Sequence, residues 1–121
     1  VDIYAPCALG ATLNDDTIPR LKCSIVAGAA NNQLADENVH GHALLDKGII
    51  YAPDFLINAG GVINCYREIH HLSEQQTMDL IENIYSRTLQ IFEKSAKEHI
   101  PTQEAAIRIA VERIENEKKK Q

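Results

Sequence analysis

The segment at residues 58–61, Asn-Ala-Gly-Gly, combines residue types that suit contact with a small ligand. Adjacent glycines at the start of a helix let a ligand approach the backbone amides, because glycine carries no side chain. Asn58, just before them, offers a carbonyl acceptor and an amide donor on one side chain. A carboxamide or a carboxylate would match this set. The alternative is an ordinary turn into a helix in which Asn58 is the N-cap.

A second polar segment, Ala-Ala-Asn-Asn at residues 29–32, suits similar contacts. A small residue such as Ala30 admits a flat ring or a ribose, and Asn31 can bond a hydroxyl or an amide without adding charge. Asparagines also occur in turns that need local side-chain bonds, so this segment alone is a weak signal. The segment becomes a stronger candidate for ligand binding because a strand is predicted just before it.

Other reactive residue types have spacings that favour structural roles. The histidine pairs at 40 and 42 and at 70 and 71 lack the one-face helical spacing of a metal pair, so no metal site is expected. The serines lie outside any G-x-S-x-G motif. Cys7, Cys23 and Cys65 share no C-x-x-C spacing, which favours reduced thiols that behave as small buried apolar groups.

Three short apolar segments are predicted to be the strands that position these residues. They lie at residues 3–5, 23–27 and 49–51. Each is followed by small residues and a polar turn. Because ligands bind beyond the carboxyl ends of parallel strands, we expect Ala8, Asn31 and Asn58 to meet at the rim of one cleft.

Helices are predicted between these strands. A short one covers residues 9–16, and a second begins at a cap at Asp36 or Asn38 and ends at Lys47 and Gly48. Alternating strands and helices with short connections are typical of right-handed crossovers and a parallel sheet. The fold class is therefore predicted to be α/β, with about three strands forming half of a doubly wound parallel sheet.

The second half of the chain is predicted to be helical. One helix follows the glycines at 60 and 61, and Ser73 and Gln76 fit a capping box that opens a long helix with an apolar stripe to about Glu98. Thr102 is the predicted cap of a last helix. These helices are expected to cover the sheet.

Composition excludes several classes of partner. The net charge is −5 over 121 residues and the basic residues are scattered, whereas a nucleic-acid surface needs a clustered basic face. A membrane span would need about 20 continuous apolar residues, and neither such a run nor a secretion leader is found. With reduced thiols, this predicts a cytoplasmic protein. The chain opens inside a strand at Val1, so we expect a piece of a longer polypeptide.

Three linked motifs resemble a known family. They are Asp-Ile-Tyr-Ala-Pro-Cys-Ala-Leu-Gly at 2–10, Gly-Ala-Ala-Asn-Asn-Gln-Leu at 28–34 and Tyr-Ala-Pro-Asp-Phe-Leu-Ile-Asn-Ala-Gly-Gly-Val-Ile-Asn at 51–64. Over essentially all 121 residues the chain resembles the C-terminal part of the glutamate/leucine/phenylalanine/valine dehydrogenase family. The resemblance implies the C-terminal half of a Rossmann-like sheet and NAD-dependent oxidative deamination of an L-amino acid to a 2-oxo acid.

The resemblance also implies roles for individual residues. Those expected to contact NAD are Cys7, Ala8 and Leu9 along the dinucleotide, Ala30 and Asn31 at the nicotinamide-side ribose, and Asn58 at the nicotinamide or the substrate. Val62 and Cys65 fall where the family shapes its amino-acid side-chain pocket. Glutamate-specific relatives have a serine at the position of Cys65 and leucine enzymes usually a valine. A thiol is nearly as apolar as valine, which favours a branched-chain aliphatic substrate.

Other parts of the family's machinery are expected outside this chain. The resemblance places the catalytic lysine and aspartate, and the lysine for the substrate carboxylate, in an N-terminal domain, so residues 1–121 are expected to be a partial NAD-binding domain with C-terminal helices from about 73 to 117. Alone, this chain is expected to be inactive, and a symmetric homo-oligomer is implied. The alternative is a non-catalytic interaction module that assembles through an unpaired sheet edge.

Overall fold

A three-stranded parallel sheet organises the N-terminal half of the chain. The computed structural model describes residues 1–120. Strands β1 (Ile3–Tyr4), β2 (Ile25–Val26) and β3 (Ile50–Tyr51) lie in the order β1-β2-β3, with Ile25 opposite Ile3 on one side and Ile50 on the other. The predicted α/β class and the parallel sheet are therefore confirmed.

Five α-helices accompany the sheet within residues 1–120. They are α1 (Glu37–Asp46), α2 (Asp54–Ile57), α3 (Gly60–His70), α4 (Glu74–Glu98) and α5 (Thr102–Lys118). None of them is both long enough and apolar enough to cross a membrane. The one-turn helix α2 was not predicted from sequence.

The connection from β1 to β2 differs from the prediction. Residues 9–16 are expected to be helical, but they form bends and a turn, and Leu13 forms an isolated parallel bridge with Leu34. Leu13 is fully buried, and its N–H donates to the carbonyl of Gln33 at 2.9 Å. The side chain of Asn14 then accepts from the N–H of Thr17 at 3.0 Å and turns the chain into a 3-10 turn at Ile18–Arg20. A helix would withdraw Leu13 from this core.

One hydrophobic core lies between the sheet and α1. Its buried members come from the strands, from α1 and from the segments that connect them. They are Leu13, Ile18, Val26, Leu34, Leu44, Ile49 and Tyr51. A smaller core joins α4 to α5 through Ile91, Ala105 and Ala106. The sheet and the long helices are thus held by separate apolar clusters, and polar contacts connect them.

The ends of α1 follow the predicted signals. Asp36 is the N-cap, and its Oδ1 accepts from the N–H of Asn38 at 2.9 Å. Gly48 follows the last turn with φ of 71°, a conformation that favours glycine. His40 is buried, its Nδ1 accepts from the N–H of Asp36 at 2.8 Å, and its Nε2 lies 3.2 Å from Oδ1 of Asp15. This histidine therefore has the structural role predicted for it.

Helix ends in the C-terminal half are also largely as predicted. The capping box of Ser73 and Gln76 is present at the start of α4. The prediction for Thr102 is wrong, because Pro101 is the N-cap of α5 and Thr102 is its first residue. The hydroxyl of Thr102 instead donates to the carbonyl of Tyr51 at 2.6 Å, which attaches α5 to β3.

The phenol of Tyr51 predicts how stability depends on alkaline pH. Burial raises the pKa of Tyr51 above its ordinary value, and the nearby Asp54 carboxylate raises it further. Above about pH 10 the unfolded chain therefore releases this proton before the folded chain does, and stability falls by about 1.4 kcal/mol per pH unit. We expect Tyr51→Phe to remove most of this decline, measured by urea unfolding at several pH values between 8 and about 11.

The control for this prediction is Tyr85→Phe, since the ring of Tyr85 is exposed on α4. Its alkaline decline should match that of the parent chain. If Tyr51→Phe loses stability above about pH 10 as steeply as the parent, the buried phenol is not the source of the decline.

Candidate functional site

A direct hydrogen bond joins the two asparagines that the sequence singled out. Asn58 Nδ2 donates to Asn31 Oδ1 at 2.6 Å and lies 3.4 Å from the carbonyl of Ala29. Asn58 is the C-cap of α2, whereas the N-cap of α3 is Ala59, which makes no side-chain cap bond. The alternative in which Asn58 is the N-cap of the following helix is therefore wrong. Its side chain points to the loop that follows β2.

The loops after β1 and β2 are in close contact. The N–H of Ala30 donates to the carbonyl of Pro6 at 3.1 Å, and the N–H of Ala29 lies 3.4 Å from Cys7 Sγ. A Cβ added to Gly28 would sit 2.1 Å from the carbonyl oxygen of Pro6. The ends of β1 and β2 therefore meet at one edge of the sheet, as parallel topology requires. We call the side chains of Cys7, Asn31 and Asn58 at this edge the rim.

The remaining cofactor candidates lie beside the rim with different exposures. Ala8 and Leu9 are exposed, Leu9 to 73 %, and together with Cys7 they line a shallow groove of about 280 Å³. Ala30 is buried, its N–H donates to the carbonyl of Pro6, and its own carbonyl accepts from Gln33 Nε2. Cys7 and Cys65 are exposed and Cys23 is half-buried, so the expectation that the thiols are buried is wrong; all three are free.

Val62 and Cys65 share one exposed face of α3. Val62 is 73 % exposed, and Tyr66 and Ile69 continue the same face at the spacing of successive helical turns. No residue of α3 is buried, and the helix packs against α4. This apolar face begins one turn after Asn58. It therefore lies close along the chain to the polar rim.

The rim suits an uncharged polar ligand better than a phosphate. Its donors and acceptors are amides and a thiol, and the eight candidate residues carry no formal charge apart from what a thiol can acquire. A Cβ built on Gly60 or Gly61 would meet nothing within 4 Å, so the start of α3 is open to a ligand. A carboxamide and a ribose fit these groups. Within residues 1–120 no cluster of three or more histidine, cysteine or acidic side chains is arranged to hold a metal ion.

Two buried polar residues behind the rim were not predicted. Gln33 is fully buried, and its Nε2 donates to the carbonyls of Gly28 at 2.7 Å and Ala30 at 2.9 Å. Its backbone N–H donates to Asp54 Oδ2 at 2.8 Å. A glutamine among turn residues carries no sign of burial in the sequence. The one available signal was its place at the end of the motif that contains Asn31.

Comparisons with known proteins identify the class to which this fold and site belong. The family model described as Glutamate/Leucine/Phenylalanine/Valine dehydrogenase matches residues 1–121, and the chain belongs to this family of amino-acid dehydrogenases. A leucine dehydrogenase of Thermoactinomyces intermedius is 54 % identical over 114 residues, covering 94 % of this chain and 31 % of that protein. An L-tryptophan dehydrogenase of Nostoc punctiforme is 50 % identical over 119 residues, covering 98 % and 34 %.

The fold is shared with a solved relative. The crystal structure of L-tryptophan dehydrogenase from Nostoc punctiforme superposes with a TM-score of 0.94 at 50 % identity, covering 98 % of this chain and 36 % of that one. The chain spans about a third of the length of the curated relatives it matches. Relatives named for leucine and for tryptophan match about equally well, so similarity alone does not select the substrate.

The contact between Gly28 and Pro6 predicts a cost for any side chain at position 28. Gly28→Ala would place a methyl group against backbone that cannot rotate away, which is expected to destabilise the chain by about 1–3 kcal/mol. Gly60→Ala is the control, because its methyl group would enter open space at a helix start. It should be neutral or slightly stabilising. Urea unfolding followed by circular dichroism measures both, and equal stabilities would contradict the close approach.

Proposed function

We propose that this chain forms the nicotinamide side of the cofactor cleft in an NAD-dependent dehydrogenase that deaminates a branched-chain L-amino acid. The observation that carries the proposal is the 2.6 Å bond between Asn58 and Asn31 at the carboxyl edge of the sheet. Ligands of parallel α/β sheets bind at this edge. Membership of an amino-acid dehydrogenase family supports the reaction class.

The asparagine pair has unused groups that suit a nicotinamide and its ribose. The bond consumes one amide hydrogen of Asn58 and the carbonyl of Asn31, which leaves the Oδ1 of Asn58 and the amide of Asn31 for a ligand. NAD held by these groups would supply the hydride acceptor for the deamination. Cys7, Ala8 and Leu9 would lie along the dinucleotide, and the backbone of Ala30 beside the ribose.

The exposed face of α3 is the proposed contact for the substrate side chain. Val62 is apolar and the thiol of Cys65 nearly so, which suits an aliphatic group and offers no partner for a second carboxylate. One methylene changes the discrimination by only about 1–3 kcal/mol. The proposal therefore extends to branched-chain amino acids as a class.

Completion of the active site is proposed to require further residues of a longer polypeptide. The eight candidate side chains include no lysine or carboxylate that could polarise a carbonyl or accept a proton. We assign those roles to an N-terminal domain, and we propose a cytoplasmic homo-oligomer as the working form.

A second candidate function is supported by the free edge of the sheet. Ile3 of β1 is 55 % exposed, and within residues 1–120 β1 pairs with β2 alone, so its outer edge can add a strand from another chain. On this alternative the chain is a non-catalytic assembly module. Such a module would show concentration-dependent association and no saturable binding of NADH.

The first test of the proposed function is NADH binding at the rim. The 121-residue chain should bind NADH saturably, measured by the change in nucleotide fluorescence, and Asn58→Ala should weaken that binding about tenfold, as expected for one lost ligand hydrogen bond. Asn83→Ala is the matched control. Asn83 lies on α4, where its Nδ2 donates to the carbonyl of Asp79 at 2.8 Å. Equal affinities of the parent and Asn58→Ala, or no saturable binding by the parent, would refute the proposed role.

A second test concerns turnover. The chain mixed with NAD and L-leucine should form no NADH above the rate without enzyme, since the proposed catalytic groups are elsewhere. Absorbance of NADH measures this directly. Any leucine-dependent rate that survives repurification would show that residues 1–121 contain a complete active site.

A further inference from the structure

We infer that Gln33 is a positioning residue that holds the asparagine pair of the rim in its ligand-binding geometry. This inference rests on the function proposed above. Gln33 is fully buried, and its side-chain amide bonds backbone carbonyls rather than the side chain of Asn31 or Asn58. Gln33 acts on the asparagine pair through the backbone of the loop after β2 and of α2.

The side-chain amide of Gln33 fixes the loop after β2. Its Nε2 donates to the carbonyls of Gly28 at 2.7 Å and Ala30 at 2.9 Å, and the carbonyl of Pro6 lies at 3.5 Å. Gly28 and Ala30 flank Ala29, whose carbonyl is 3.4 Å from Asn58 Nδ2. One amide group therefore sets the orientation of the peptide units that face Asn58.

The backbone of Gln33 fixes α2 in the same way. Its N–H donates to Asp54 Oδ2 at 2.8 Å, and the other carboxylate oxygen of Asp54 accepts from the N–H of Phe55 at 2.6 Å. One helical turn later the N–H of Asn58 donates to the carbonyl of Asp54 at 3.0 Å. The position of Asn58 relative to Gln33 is thus set by two hydrogen bonds. We call Asn31, Gln33, Asp54 and Asn58 the polar ring, because these two bonds, the bond between Asn58 and Asn31 and the chain from Asn31 to Gln33 together close a loop.

A simple packing role does not account for the choice of glutamine. Gln33 Oε1 is buried without a hydrogen-bond partner among residues 1–120, and burying an unpaired carbonyl is unfavourable. An apolar side chain of the same length would avoid that cost but would release the carbonyls of Gly28 and Ala30. We therefore explain the amide of Gln33 by its orientation of the Gly28 and Ala30 carbonyls.

The chain contains a matched control for this argument. Gln103 on α5 is also buried, at 4 % exposure, and its Oε1 likewise has no partner within residues 1–120. Its Nε2 donates to the carbonyl of Glu37 at 2.8 Å, at the contact between α5 and α1. Gln33→Met and Gln103→Met thus remove comparable buried amides, one behind the rim and one elsewhere.

The experiment compares these two variants by nitrogen-15 NMR and by NADH titration. Each substitution is expected to destabilise the fold and to raise the equilibrium constant for unfolding by about tenfold or more. Gln33→Met removes the side-chain donor of the Gly28 and Ala30 carbonyls, and Gln103→Met removes that of the Glu37 carbonyl. Only Gln33→Met should move the side-chain amide resonances of Asn58 and weaken NADH binding by about tenfold. Gln103→Met should leave the Asn58 resonances unmoved and the affinity for NADH within about twofold of the parent. A loss of stability far from the rim does not by itself alter the rim.

A third variant keeps the shape of the side chain in case methionine prevents folding. Gln33→Glu cannot donate as a carboxylate near pH 8, but the protonated acid at low pH regains one donor. Burial at position 33 is expected to raise the pKa of the introduced carboxylic acid above its ordinary value of about 4.3, so the Asn58 resonances of this variant should return toward those of the parent as pH falls to about 5. Gln103→Glu should show no such pH profile at Asn58.

The outcomes separate this inference from the proposed function. If the Gln33 variants fold and leave the Asn58 resonances unchanged, Gln33 is a packing residue and the inference is overturned. If the parent chain fails to bind NADH, the proposed function loses its support, whereas the Asn58 resonances still decide whether Gln33 positions the pair. Displaced resonances with unchanged NADH affinity would also overturn the inference, because the orientation would then not matter for the ligand.

Discussion

The close approach of the first two strand ends is the constraint on which the rest of the structure depends. The backbone of Gly28 lies against Pro6 at a distance that leaves no room for a Cβ. Only at this separation can the amide of Gln33 reach carbonyls of the loop after β2 while remaining within 3.5 Å of the carbonyl of Pro6. The rim is a consequence of this packing, because the loops that carry Cys7 and Asn31 follow directly from it.

Features that are set by neighbours within a few positions along the chain could be predicted from the sequence. Asp36 caps α1 and Ser73 opens α4 because each side chain bonds backbone groups two or three positions away. The parallel sheet was predictable from alternating strands and helices, since short connections leave few other arrangements. The proximity of Asn31 and Asn58 followed from that topology, although the hydrogen bond between them required coordinates.

Features with distant causes could not be predicted. Leu13 is extended because its partner is Leu34, which lies 21 positions away, and local pattern favoured a helix instead. Thr102 was expected to cap its own helix, but its hydroxyl bonds the carbonyl of Tyr51 on β3. Gln33 resembles a turn residue until its three carbonyl neighbours are known. In each case a tertiary contact overrides a sound local signal.

The polar ring, which is proposed to bind the nicotinamide, is separate from the exposed face of α3, which is proposed to contact the side chain of the substrate. The polar ring joins the buried residues Gln33 and Asp54 to Asn31 and Asn58 at the sheet edge, whereas Val62 and Cys65 lie on an exposed face of α3, a helix that buries no residue. Substitutions on that face therefore leave the polar ring intact. Relatives named for leucine and for tryptophan are identical to this chain at about half of the aligned residues, and the aligned part of one of them shares its fold. On the proposed function, the polar ring would bind the part of the ligand that all substrates share, and the exposed face of α3 would contact the part that differs between them.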